Sequence, residues 1–195
     1  MSRTNYIFID YENVQETDLD RIKDKPVKVV FVLGERHKSL PVTLVKQILP
    51  HAGQVELVET RRGGKNALDL VLAEHVGEAK KADPLGYFHI MSKDKDFDAL
   101  IGHLKDEGVR AARRESFSEI PALMTPVERS KHMELQLRQN PAHCPKKRTA
   151  LENHIQTTFG KTLPTEEVEQ MIEGLIREKI ITLSEHGDCR SAVAA

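Results

Sequence analysis

Residues 27 to 33 read VKVVFVL, and this stretch decides the fold. Every position except Lys28 is apolar, so neither face of an extended segment here suits water. A strand covered on both sides is expected, and such strands belong to parallel sheets with helices packed on each face. Short apolar runs at residues 5 to 10, 54 to 59, 86 to 91 and 109 to 112 repeat the pattern, separated by helical periodicity. Residues 40 to 50, LPVTLVKQILP, read as a short helix closed by Pro50, and residues 66 to 80 as a second. Phe97, Leu100, Ile101 and Leu104 mark a third, with Gly108 as its left-handed stop. The expected class is α/β: a three-layer α/β/α sandwich with a mostly parallel five-stranded sheet, plus a small C-terminal helical module.

Composition bounds the chemistry without naming it. The chain has 195 residues, 39% hydrophobic and 30% charged, which suits one good core with an appendage. There is no run of eighteen apolar residues, and MSRTNYIFID moves into a strand without a signal-peptide pattern, so a cytoplasmic setting with no membrane partner is expected. Two cysteines, Cys144 and Cys189, do not make a disulfide framework, and reduced thiols are expected. A net charge of −1 gives no global pull on a polyanion, so any such binding is local. Basic residues gather at Arg36, His37 and Lys38, at Arg61, Arg62 and Lys65, at Arg110, Arg113 and Arg114, and at Lys146, Lys147 and Arg148. Each group alone reads as a solvated face; their placement beside acidic segments gives them interest.

Those acidic segments are the chemical signal. GYFHIMSKDKDFDAL, residues 86 to 100, sets Asp94, Asp96 and Asp98 behind an apolar strand and ahead of a helix. NYIFIDYENV, residues 5 to 14, ends another strand on Asp10, Glu12 and Asn13, and GGKNALDLVLAEH, residues 63 to 75, places Asp69 and Glu74 on a helix. In an open parallel sheet the ligand site lies beyond the carboxyl ends of the strands, where strand order reverses, so adjacent first and fourth strands would bring Asp10 and Asp94 together. At about 100° per residue, Asp69 falls within roughly 20° of Val76, on the edge of the Leu68, Leu72 and Val76 stripe, a poor place for an unpartnered charge. Two ionised carboxylates about 5 Å apart repel by roughly 3 kcal/mol at an effective dielectric near 20. Converging acids must therefore hold protons or bind a cation, and Mg²⁺ or Mn²⁺ matches an all-oxygen donor set.

Alternative readings stand beside this one. Asp94 and Asp96 suit helix capping, although one cap needs only one Asp; Asp98 suits a first-turn surface position. Asp69 can pair with Lys65 at i−4. His143, Cys144, His186 and Cys189 lack normal zinc-ligand spacing, and their assembly reads as coincidence.

Past residue 121 the composition turns polar, with Pro126, Pro141 and Pro145 in a helix and linker, and then come RTALENHIQTTFG, TEEVEQMIEGLIREK and IITLSE, two amphipathic helices and a strand. The expected organisation is a 1–122 α/β domain, a 123–146 helix and linker, and a 147–195 unit that resembles a small winged-helix module. Thr165 is the expected N-cap of the second module helix, with Glu166 and Glu167 in its first turn. Glu166, Glu167, Glu169 and Glu173 on that helix repel phosphate, so a homodimer or protein-partner role is favoured for the module over nucleic-acid contact.

FIDYENV, GGKNALDLVLAEH and MSKDKDFDALIGHLK together make residues 5 to 120 resemble a PIN-like ribonuclease of the NYN type. That resemblance implies a metal-dependent endoribonuclease acting on single-stranded or structured RNA, with DNA as the alternative substrate. It implies roles for Asp10 and Asn13, for Asp69, and for Ser92, Asp94 and Asp96. Asp10, Asp69, Asp94 and Asp96 would hold Mg²⁺ or Mn²⁺; Asn13 and Ser92 would fix geometry, Lys65 would meet the substrate, and Lys93 and Lys95 suit either a hold on the scissile phosphate or neutralisation of the aspartates. The turn departs from the family pattern at Lys93 and Lys95, where glycine and serine are usual. Two other functions compete: an RNA-binding PIN-like module without turnover, and a haloacid dehalogenase-type phosphatase suggested by DYENV and KDKDFD, which has Glu12 where that family needs Asp.

Overall fold

The computed structural model describes residues 3–15, 18–37, 39–61, 63–184 and 186–192. Lys38 and Arg62 of the basic clusters lie outside them. The chain forms two compact units, Met1–Leu123 and Met124–Ala195.

The first unit is built on five strands: β1 (Asn5–Asp10), β2 (Val27–Leu33), β3 (Val55–Glu59), β4 (Tyr87–Met91) and β5 (Arg110–Arg114). Their order is β3-β2-β1-β4-β5, and every pairing is parallel, so the sheet is wholly rather than mostly parallel. Helices α1 (Val42–Ile48), α2 (Ala67–Ala82) and α3 (Phe97–Asp106) make the crossovers. Because strand side chains alternate, each central strand feeds two cores. Ile7, Ile9, Val29 and Phe31 pack with Leu44 of α1 and with Phe117, Ile120 and Leu123 of the chain after β5. Phe8, Val30 and Val32 pack on the other face with Leu68, Leu72 and Val76 of α2 and with Phe97, Ile101 and Leu104 of α3. VKVVFVL thus sits in the interior because both its faces are roofed. α3 gives way to Gly108 at φ 77°, a left-handed stop that glycine adopts without a Cβ clash.

The second unit contains α4 (Pro126–Gln139), α5 (Arg148–Thr158), α6 (Thr165–Arg177) and the antiparallel hairpin β6 (Ile181–Leu183) with β7 (Cys189–Ser191). Thr125 caps α4 through a complete capping box with Glu128, and Pro126 takes the first helical position. Met133 and Leu137 of α4 share a core with Leu151, Ile155, Val168, Ile172, Leu175 and Ile181. Arg129 Nε donates to Glu167 Oε1 at 2.7 Å and ties α4 to α6. Thr165 is not the N-cap of α6. Pro164 holds that place in an extended conformation, and its carbonyl accepts from Glu167 and Val168, so helical backbone already begins at Thr165.

Candidate metal and nucleic-acid site

The switch in strand order falls between β1 and β4, where Ile9 pairs with Met91 and the two chains leave the sheet side by side. Strand parity sets what happens next. Asp10 follows Phe8 by two residues, so its side chain points to the α2 and α3 face, where Asp69 rides beside Leu68. Asp10 is 1% exposed and Ser92, just past β4, is fully buried. A carboxylate at that depth requires donors, and it has them. Ser92 Oγ donates to Asp10 Oδ2 at 2.7 Å, Asn13 Nδ2 donates to the same oxygen at 2.6 Å, and the Asn13 backbone N–H reaches Oδ1 at 3.3 Å.

From Ser92 the network continues outward. The Asp94 N–H donates to Ser92 Oγ at 3.0 Å, and the Asp96 N–H donates to Asp94 Oδ1 at 2.9 Å. Asp94 thus folds its own turn, and the Asp96 side chain makes no capping hydrogen bond although Asp96 occupies the N-cap position of α3. Capping therefore does not account for Asp96. The turn is pinned from behind by Arg113 of β5, whose Nη1 donates to the Ser92 carbonyl at 3.1 Å and whose Nε donates to Asp98 Oδ1 at 2.8 Å. Asp98 is thereby committed to an ion pair.

Asp69 reports on the whole cluster. Burial first, and then the carboxylates of Asp10, Asp94, Asp96 and Glu12, raise its pKa above the ordinary carboxylate value. No ion pair between Asp69 and Lys65 offsets this among the described residues, so the local salt-bridge reading of Asp69 does not hold. Glu12 is drawn in because Gly34, just after β2, leaves room: a Cβ there would collide with the Glu12 carboxylate. Glu74 is exposed on α2. Lys65, Lys93 and Lys95 are exposed at the rim, with no ion partner among the described residues. Asn66 enters α2 in a left-handed conformation, φ 62°, which Asn tolerates better than most residues.

The donor set is all oxygen and carries surplus negative charge, which suits a hard divalent cation. Among the described residues, no three His, Cys, Asp or Glu side chains form a close metal-ligand group. The acids therefore share an electrostatic neighbourhood without a preformed coordination shell. His143, Cys144, His186 and Cys189 form no such group either, although the two cysteine sulfurs do meet, at 3.9 Å. Sequence reasoning missed Arg113 as the anchor of the acidic turn. Arg113 stands in the basic cluster with Arg110 and Arg114, but nothing in that cluster names Ser92 or Asp98 as its partners.

A family model for the PIN domain matches residues 4–114. The chain belongs to the PIN domain family. PIN domains are generally metal-dependent nucleases that act on nucleic acid, so membership supports a nuclease-type function and a divalent metal in general terms. No curated protein matches the chain significantly. No helix among the described residues is long and apolar enough to cross a membrane.

Proposed function

We propose that the PIN domain of this chain, over residues 1–122, is a metal-dependent endoribonuclease of the NYN type. The observation that carries the reading is the convergence on Asp69 of α2: beside its burial, Asp10 at the end of β1, Glu12 just after it, and Asp94 and Asp96 in the turn after β4 all raise its pKa, at the switch point of the sheet. Asp10, Asp69, Asp94 and Asp96 are the residues for Mg²⁺ or Mn²⁺. Bound there, the ion supplies a Lewis acid for a phosphoryl oxygen and lowers the pKa of an attacking water. The protein's own part is positional. Ser92 and Asn13 hold Asp10 in one orientation, and Asp94 is held by the turn it closes. Lys65 and Lys93 offer compact positive charge to the phosphates of RNA on either side of the acids.

The second reading is a PIN domain that binds RNA without cutting it. Lys93 and Lys95 favour it, because exposed ammonium groups flanking Asp94 in sequence suit phosphate binding without any part in turnover. For the phosphatase alternative, Asp10 would have to be a free nucleophile, whereas its carboxylate already accepts from Ser92 and Asn13.

The second unit supplies a helix pair and a hairpin, the order of a small winged-helix-like module at 147–195, preceded by the helix and linker of 123–146. The outer face of α6 carries exposed Glu166, Glu169 and Glu173, which supports a protein partner or a second copy over nucleic acid.

Incubating the full chain with a long single-stranded RNA in Mn²⁺ decides between the readings. Cleavage that slows by at least about 100-fold in Asp94→Asn supports the nuclease. A gel shift without cleavage supports the binder. Equal cutting by both proteins rejects the assigned site.

A further inference from the structure

We propose that Cys144 and Cys189 form a reversible intramolecular disulfide in the second unit, made by exchange with a small anionic disulfide that docks in the groove beside them. The two sulfurs are already 3.9 Å apart, so a bond of about 2.04 Å requires an approach of roughly 1.9 Å. The backbones that carry them are joined. The Cys189 N–H donates to the Lys146 carbonyl at 2.9 Å, Lys147 and Asp188 form an isolated antiparallel bridge, and Lys147 Nζ lies 2.7 Å from Asp188 Oδ1. The segment after the turn at Pro141–His143 is thus zipped to the hairpin strand β7, and side-chain rotation is the main movement left.

The two cysteines differ in access, and this sets the order of events. Cys144 is partly exposed and Cys189 is buried. A groove lined by Cys144, Lys146, Asp188, Cys189 and Arg190 opens beside them. Asp188 is neutralised by Lys147, which leaves Lys146 and Arg190 to attract a carboxylate-bearing oxidant. Burial first, and then the Cys144 sulfur, push the Cys189 thiol up to about 12, so Cys189 is a poor first attacker.

In the first step Cys144 Sγ attacks one sulfur of the small disulfide. The S–S bond breaks, and the departing thiolate takes up the proton that Cys144 released. Cys189 Sγ then attacks Cys144 Sγ in the mixed disulfide; the second small thiol leaves and accepts the Cys189 proton. Two protein thiols are oxidised, and one small disulfide is reduced to two thiols. Once Cys144 is capped, its charge and its hydrogen bond no longer oppose ionisation of Cys189, so the first step eases the second.

The test uses the full chain and glutathione disulfide. The expected result at completion is loss of both alkylatable thiols, a peptide joining Cys144 to Cys189, and a rise of about 5 °C or more in the melting of the second unit that dithiothreitol reverses. Cys189→Ala should hold glutathione on Cys144, and Cys144→Ala should form neither species. Should the buried Cys189 variant fail to fold, a time course on the unaltered protein replaces it, with the mixed disulfide rising before the cross-link. Persistent glutathione on Cys144 beside a free Cys189, or two thiols still open to alkylation at their starting rates, overturns the proposal.

Discussion

Ser92 Oγ donates a 2.7 Å hydrogen bond to Asp10 Oδ2, joining the ends of β1 and β4 across the switch point of the sheet. Both residues are buried, so water cannot replace the bond. Ser92→Ala is expected to lose about 1 to 3 kcal/mol of stability, the cost of removing a hydrogen bond from a buried charged acceptor. RNA cleavage should fall with it, because Asp10 loses its fixed orientation. Urea unfolding with cleavage assayed well below the transition separates the two effects. A variant as stable as the parent would show that the bond carries nothing.

Asp69 pays for its position among four other carboxylates, a cost that only a cation or neutralisation removes. In EDTA, Asp69→Asn should melt at or above the temperature of the unaltered protein. Adding Mn²⁺ should raise the melting temperature of the unaltered protein more than that of the variant, because binding to the folded state alone is what shifts the midpoint. Equal shifts would place the metal elsewhere.

His89 lies fully buried in β4, with Nε2 at 3.0 Å from Asn5 Oδ1. Burial first, and then Arg114, lower its pKa from 6.5 to about 3. The folded state therefore holds His89 neutral while the unfolded chain takes up a proton near its ordinary value. Stability from this group is full above about pH 6.5 and is lost as pH falls toward 3, reaching roughly 3 kcal/mol by pH 4. His89→Gln, which cannot titrate, should flatten the fall in urea midpoint between pH 6 and pH 4. A variant with the same slope as the parent would assign acid sensitivity to the carboxylates instead.

Arg113 reaches from β5 to the Ser92 carbonyl and to Asp98, with a side chain 17% exposed. Arg113→Gln should loosen the turn that carries Asp94 and Asp96, at a cost of about 1 to 2 kcal/mol. Cleavage should slow mainly through turnover rather than RNA affinity, since Arg113 faces the turn. Arg113→Lys should rescue only part of this, because a single ammonium does not span both acceptors as the guanidinium fork does.

The parallel sheet was legible because its central strands, β2 above all, are apolar on both faces, and the acid positions because they end strands or sit at the edge of a helical stripe. The parity of β1 connects these two facts: Phe8 and Asp10 share a face, and the same face receives α2. Other features depended on contacts distant in sequence. Arg113 meets Ser92 only because Met91 pairs with Arg114, a register no local pattern announces. Cys189 lies on a strand of three residues with no periodicity to read, so its approach to Cys144 was invisible. Two signals are local: Thr125, Pro126 and Glu128 spell a complete capping box that sharpens the start of α4, and Pro164 rather than Thr165 holds the N-cap of α6.

The alternation of β1 also governs which length changes this chain can absorb. Adding one residue between Asn5 and Asp10 would turn the Asp10 carboxylate to the face of Leu44 and Phe117 and move Ile9 into the acidic pocket, and deleting one would turn Asp10 the same way and draw Tyr11 into its place. Lengthening the chain past Val14 leaves that orientation untouched, because Asn13 already holds the carboxylate from its own side. Insertional scanning should therefore find defects through Val14 and tolerance only between Val14 and the buried Leu19.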